Sequence, residues 1–87
     1  MVVMEDLSIR ELYHDLTEEQ SWDEWERKLP LVLEQLPAKD MQLIELRYLE
    51  QRPFKEVSEI LGMTETNTKV RTYRILEKMK KLFLRQK

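Results

Sequence analysis

The apolar positions of this chain recur mostly at spacings of three and four, the period of an α-helix. The pattern is clearest from Pro53 to Leu84. Phe54, Val57, Ile60 and Leu61 mark a short helix. Pro53 sits at or just before its start, where a missing N–H costs nothing. Gly62, the single glycine of the chain, can take the left-handed conformation that ends a helix. Met63 then offers an apolar plug, and Thr64 can cap the helix that follows. Ser58 is small where that second helix would press closest. The second helix is amphipathic, with Thr68, Thr72, Ile75, Met79 and Leu82 on its inner side. Lys69, Val70, Tyr73 and Lys80 fall opposite, Asn67 and Arg74 on a flank, and Arg71 at the edge. Two helices joined by so short a glycine-containing turn form a helix-turn-helix.

Upstream, Met1 to Met4 reads as a frayed end. Ser8 and Glu11 fit a capping box for a short helix ending at Leu16, and Thr17 to Gln20 reads as a polar connector. Ser21 and Glu24 repeat the capping pattern before a stripe of Trp22, Trp25, Leu29, Val32, Leu33 and Leu36. Pro30 interrupts that stripe and is expected to kink or split the helix near Lys28–Leu29. Pro37 suits the first turn of a third helix, Ala38 to about Glu50, whose apolar residues wrap round the cylinder and make it central to the core. Gln51 and Arg52 link it to the helix-turn-helix. The expectation is an all-α fold of four or five helices. Residues 1–20 would be an acidic extension and 21–87 the helix-turn-helix domain. Its core would draw on Trp25, Leu33, Leu36, Ile44, Tyr48, Val57, Ile60, Leu61, Ile75 and Met79.

The length of 87 residues suits one small core and not two. The absence of cysteine excludes a disulfide framework and thiolate metal sites, and is compatible with a reducing cytoplasm. No apolar run reaches the length of a membrane span, and the start MVVMEDL lacks the basic region and apolar core of a signal peptide. The net charge of −2 conceals a separation: residues 1–40 carry 11 acidic and 4 basic side chains, and residues 41–87 carry 6 and 11. From Glu65 to Lys87 there are 8 basic and 2 acidic residues. A basic stretch of this kind is often a solvated helix end that complements the helix dipole. On the second helix of a helix-turn-helix it is better read as a nucleic-acid face, because that helix normally enters the major groove.

The run LPAKDMQLIELRYLEQRPFKEVSEILGMTETNTKVRTYRILEKMKKL resembles region 4 of the bacterial sigma-70 factors, most closely the small extracytoplasmic-function type. The matching features are Leu36–Pro37, Leu46-Arg47-Tyr48, Glu56-Val57-Ser58-Glu59-Ile60-Leu61-Gly62, Lys69-Val70-Arg71 and Arg74. They cover Leu29 to Leu82. The resemblance implies recognition of the promoter −35 element in double-stranded DNA and a hold on the β flap of core RNA polymerase. It also makes an anti-sigma factor a candidate partner, and the cytoplasm the place of action.

Carried over, the resemblance sets Lys69, Val70, Arg71, Tyr73 and Arg74 at the DNA. Helix position adds Asn67, with Lys80 and Lys81 further along for phosphates and Gly62, Met63 and Thr64 as the turn. The first two major helices, Trp22 to Glu50, would form the groove for the flap. Four positions depart from the family pattern. Gln51 and Thr66 stand where glycine is common, Arg52 where an apolar residue is common, and Thr72 where leucine is usual. A counterpart of region 2 is missing from these 87 residues, so the chain is either part of a longer sigma factor or a stand-alone domain.

Other classes fit less well. The helix-turn-helix output domain of LuxR-type regulators matches Lys69-Val70 and Ile75-Leu76. It usually has Thr where Pro37 stands, and its helix before the turn is one residue shorter. Catalysis has no nucleophilic cysteine, no Gly-rich phosphate loop and a single histidine, His14, which reads as an exposed helix residue. The reading is therefore a non-enzyme without catalytic residues, metal or cofactor. A sigma-like protein-interaction module would use Trp22 and Trp25 as docking anchors. Closure of a small core is the better account of that pair.

Overall fold

The computed structural model describes residues 6–16 and 21–85. The expected frayed end at Met1–Met4 and the connector at Thr17–Gln20 lie outside them. Five α-helices follow one another: α1 (Asp6–Leu16), α2 (Trp22–Glu34), α3 (Ala38–Ile44), α4 (Phe54–Leu61) and α5 (Glu65–Arg85). The described residues contain no strand, so the fold is all-α as expected. Helix α1 begins at Asp6, two residues ahead of the proposed Ser8 cap.

Ser21 caps α2, its Oγ accepting from the Glu24 N–H at 3.3 Å. The Glu24 carboxylate meets the ammonium of the buried Lys28 at 3.1 Å, one turn along. Pro30 does not split α2, which runs on to Glu34. Its ring lies on the exposed face, while Leu29 and Val32 on either side of it are buried. The donor lost at Pro30 therefore leaves only a solvent-facing carbonyl short of a partner, and burial anchors both halves.

The third helix also differs from expectation. After Ile44 the coil widens to a π-helical segment, Glu45–Leu49, in which the Glu50 N–H reaches back five residues to the Glu45 carbonyl at 2.8 Å. Gln51 then turns the chain with φ +54°, the one non-glycine residue in the described chain with positive φ. The position asks for left-handed backbone, which glycine adopts most readily. Arg47 ties the turn down. It donates to the Arg52 carbonyl at 3.2 Å, and its guanidinium sits 4.5 Å from the centre of the Phe54 ring. Arg52 in turn pairs with Glu50 at 2.9 Å and with Glu56.

The core gathers side chains from every helix: Leu12 and Leu16 of α1, Trp25, Leu29 and Val32 of α2, Leu43 and Ile44 of α3, Val57 of α4, and Ile75, Leu76, Met79 and Phe83 of α5. Leu46 and Tyr48 of the π segment join them. The acidic extension expected from the sequence thus supplies two core leucines. Helix α1 is fastened further by a hydrogen bond from the Tyr48 hydroxyl to Asp15 at 2.9 Å. Burial and that carboxylate together push the Tyr48 phenol well above its usual range. Three expected core residues fall short. Ile60 is 48% exposed, and Leu33 and Leu61 are only partly buried against the core. Helix α4 has just eight residues and buries one narrow stripe through Val57 and Ser58, leaving Ile60 on the open side.

Candidate nucleic-acid interface

The turn between α4 and α5 is closed by its own backbone. Gly62 has φ +68° and ψ +34°. The Met63 N–H bonds the Ser58 carbonyl at 2.9 Å, and the Gly62 N–H bonds Glu59 at 3.3 Å. This is the Schellman arrangement, which satisfies two carbonyls at the helix end. Thr64 starts α5, its Oγ1 accepting from the Asn67 N–H at 3.1 Å. A Cβ at Gly62 would meet nothing within 4 Å. Gly62→Ala is therefore expected to cost about 1–2 kcal/mol from left-handed strain alone, without a clash. Urea unfolding would check this, and a loss well above that range would mean that the turn packs more tightly than these distances allow.

Below the turn, α4 and α5 approach closely because the contact residues are small. Ser58 is buried and donates to its own Lys55 carbonyl at 2.7 Å. Thr68 and Thr72 are fully buried. Their hydroxyls bond the carbonyls one turn back, Thr64 and Thr68, each at 2.8 Å. Back-bonding of this kind hides a hydroxyl that would otherwise be costly to bury. It lets threonine occupy the inner position at 72. The inner face is wider than the predicted stripe. Leu76 and Phe83 are buried and Leu82 is only partly so, because α1 and α2 cover the flank of the second half of α5.

The outward face of α5 carries Asn67, Lys69, Val70, Tyr73 and Arg74, all exposed. Val70 is 42% and Tyr73 60% exposed, large apolar surfaces for a helix end with no partner. Lys69 lies 3.7 Å from Glu65, and Lys80 lies 3.3 Å from Glu77. Both pairs are open to water and hold their lysines only loosely. Lys81 is exposed. Arg71 differs from the rest: half-buried, it reaches Asp40 of α3 at 3.4 Å. Lys78, which periodicity had not singled out, meets the same carboxylate at 2.8 Å. Asp40 is thirty-one residues from Arg71, so no local pattern could have joined them. The arrangement is a projecting helix with a mixed cationic and apolar tip on a rigid turn. Among the described residues no group of three or more His, Cys, Asp or Glu side chains could hold a metal ion.

The sigma-70 region 4 family profile matches residues 26–79, more than half of the chain. The chain belongs to the sigma-70 region 4 family. No curated protein and no solved structure matches it significantly. Region 4 is a DNA-binding transcription module that works with RNA polymerase, and its family is not one of enzymes. The matched stretch contains α4, the turn and α5 as far as Met79, and also the LRY segment Leu46–Tyr48. Within region 4 that segment has a visible structural task here. Leu46 and Tyr48 are buried, and Arg47 clamps the turn that aims α4. No helix among the described residues is long and apolar enough to cross a membrane.

Proposed function

We propose that the chain is the promoter-reading domain of an extracytoplasmic-function sigma factor, working in the cytoplasm on the −35 element of double-stranded promoter DNA. The observation that carries this reading is the first half of α5. It follows a capped turn directly and holds Asn67, Lys69, Val70, Tyr73 and Arg74 exposed. In a region 4 domain such a helix end fits the major groove, with its N-terminal residues at base edges. Lys80 and Lys81, two to three turns on, serve phosphates and fix register. Arg71 can join them only by leaving Asp40.

The second half of the proposal is that Trp22 to Glu50 holds a helix of the polymerase β flap. Leu31 is 49% exposed, and Leu33 and Met41 are only partly buried, which leaves apolar surface on that segment. Part of the apolar surface of that segment is covered by α1, through Leu12 and Leu16. An anti-sigma factor that silences the protein would compete for the same two surfaces.

A single preparation tests both halves. A promoter duplex should be retarded in a gel at low salt, and a flap fragment should perturb resonances from Trp22 to Glu50 in isotope-labelled protein. A duplex left unshifted while the flap fragment binds would replace the reading with a protein-interaction module. Flap perturbations confined to Glu65–Lys87 would reject the groove.

A further inference from the structure

The cations of α5 form two tracks. At roughly 100° per residue, Arg71 and Lys78 stand about 20° apart around the helix, and so do Arg74 and Lys81. The first pair turns toward α3 and shares one carboxylate, Asp40, at 3.4 and 2.8 Å. The second pair makes no ion pair with any described residue and lies in the open. The side chain of Asp40 is only 10% exposed, whereas those of Arg71 and Lys78 are 39% and 48% exposed. The cations are thus near enough to the surface to meet phosphates, while the anion holding them is not free to follow.

We propose that Asp40 sets the specificity of this DNA face: from α3 it keeps Arg71 and Lys78 off the phosphates, leaving the Arg74–Lys81 track to meet the duplex. The inference rests on the DNA-reading role proposed above. A nearly buried carboxylate left without cations is strongly disfavoured, and an arriving phosphate backbone would sharpen the penalty by repelling it. The tether therefore outlasts binding. Phosphate contacts strengthen binding to every sequence alike, whereas base contacts discriminate. Holding back two cations lowers affinity for all DNA and raises the share that comes from bases. Asp40 touches no nucleotide in this scheme; it acts as a positioning residue through Arg71 and Lys78.

The experiment measures binding against salt for a matched and a scrambled duplex, with wild type, Asp40→Asn and Asp40→Glu. Each freed cation that finds a phosphate steepens the log–log salt slope by about 0.9. Asp40→Asn should steepen it by about 1–2 and bind the scrambled duplex about threefold to tenfold more tightly at low salt, reducing the matched-to-scrambled ratio. Asp40→Glu keeps the charge and should restore a near wild-type slope. Arg71→Gln should then cost more of the slope in the Asp40→Asn background than in wild type. A helical Asp40→Asn protein with the wild-type slope would overturn the proposal while leaving the DNA-reading role intact. Failure of every variant to bind any duplex at low salt would sink both. A second measurement needs no variant. The carboxyl carbon resonance of Asp40 in the wild-type protein should stay in place as duplex is added, and a shift that tracks binding would show the cations leaving for phosphate.

Discussion

Trp25→Ala should remove a large part of the stability of the domain. Trp25 is fully buried and stands where three helices meet. Its ring stacks on Phe83 of α5 at 5.4 Å and 17°, and on Trp22 at 5.6 Å and 25°. Tyr13 of α1 meets it edge-on at 5.2 Å. Deleting a buried tryptophan typically costs about 3–5 kcal/mol, and a domain of 87 residues has roughly 4–13 kcal/mol in all. Trp25→Phe should cost much less. It keeps a ring in the stack and discards an indole N–H that finds no acceptor among the described residues. Urea unfolding of the two variants gives the comparison. Near-equal losses would mean that the aromatic stack contributes little and the tryptophan's full volume is what matters. A near-neutral Trp25→Ala would remove Trp25 from the core altogether. Leu61→Ala, which a fully buried position would place in the same class, should be milder because Leu61 is only partly buried.

The sequence was most legible where structure is local. Gly62 and Thr64 end one helix and start the next by rules of left-handed backbone and capping that depend only on neighbours. The inner and outer faces of α5 followed from period alone, and the buried Thr68 and Thr72 fell on the inner one. Legibility declined where distant segments decide. The short helix ending at Leu16 shows no long-range signal in sequence, and only packing against α5 and the π segment makes Leu12 and Leu16 core. The widening at Glu45–Leu49 carries no period of its own, and glutamine at 51 does not announce the left-handed turn that follows it. Ile60 followed the helical pattern but points outward, because the eight residues of α4 turn a narrow stripe, Val57 and Ser58, to the core and leave Ile60 on the open side. In the sequence Asp40 is distinguished by nothing from the other acids of residues 1–40. Its partners Arg71 and Lys78 are two helices away, and a pattern confined to single helices cannot find them.

Arg74 and Lys81 lie on the same open track of α5 and should nonetheless respond differently to mutation. Arg74 is on the half of the helix nearest the turn, beside Asn67, Val70 and Tyr73, where a helix inserted in the major groove meets base edges. A guanidinium there can bond the two acceptors of a guanine, a contact that discriminates against other bases by about 1–3 kcal/mol, roughly fivefold to more than a hundredfold. Val70 beside it can pack on a thymine methyl, and Tyr73 can cover a base edge or the sugar. Lys81 lies two turns further from the turn, where the helix leaves the groove and the backbone is what remains in reach. Lys81→Ala should therefore weaken binding to all duplexes alike and lower the salt slope by about one contact, while the preferred sequence stays the same. Arg74→Ala should relax the preference at one base position and spare binding to unrelated DNA. Selection of bound sequences from a random duplex pool, wild type against each variant, separates the two outcomes. If the motif selected by Arg74→Ala were unchanged at every position, base reading would pass to Lys69 or Asn67 on the same helix end. If Lys81→Ala altered the motif instead, α5 would lie deeper in the groove than its exposed N-terminal half suggests, and the phosphate track would have to begin beyond it.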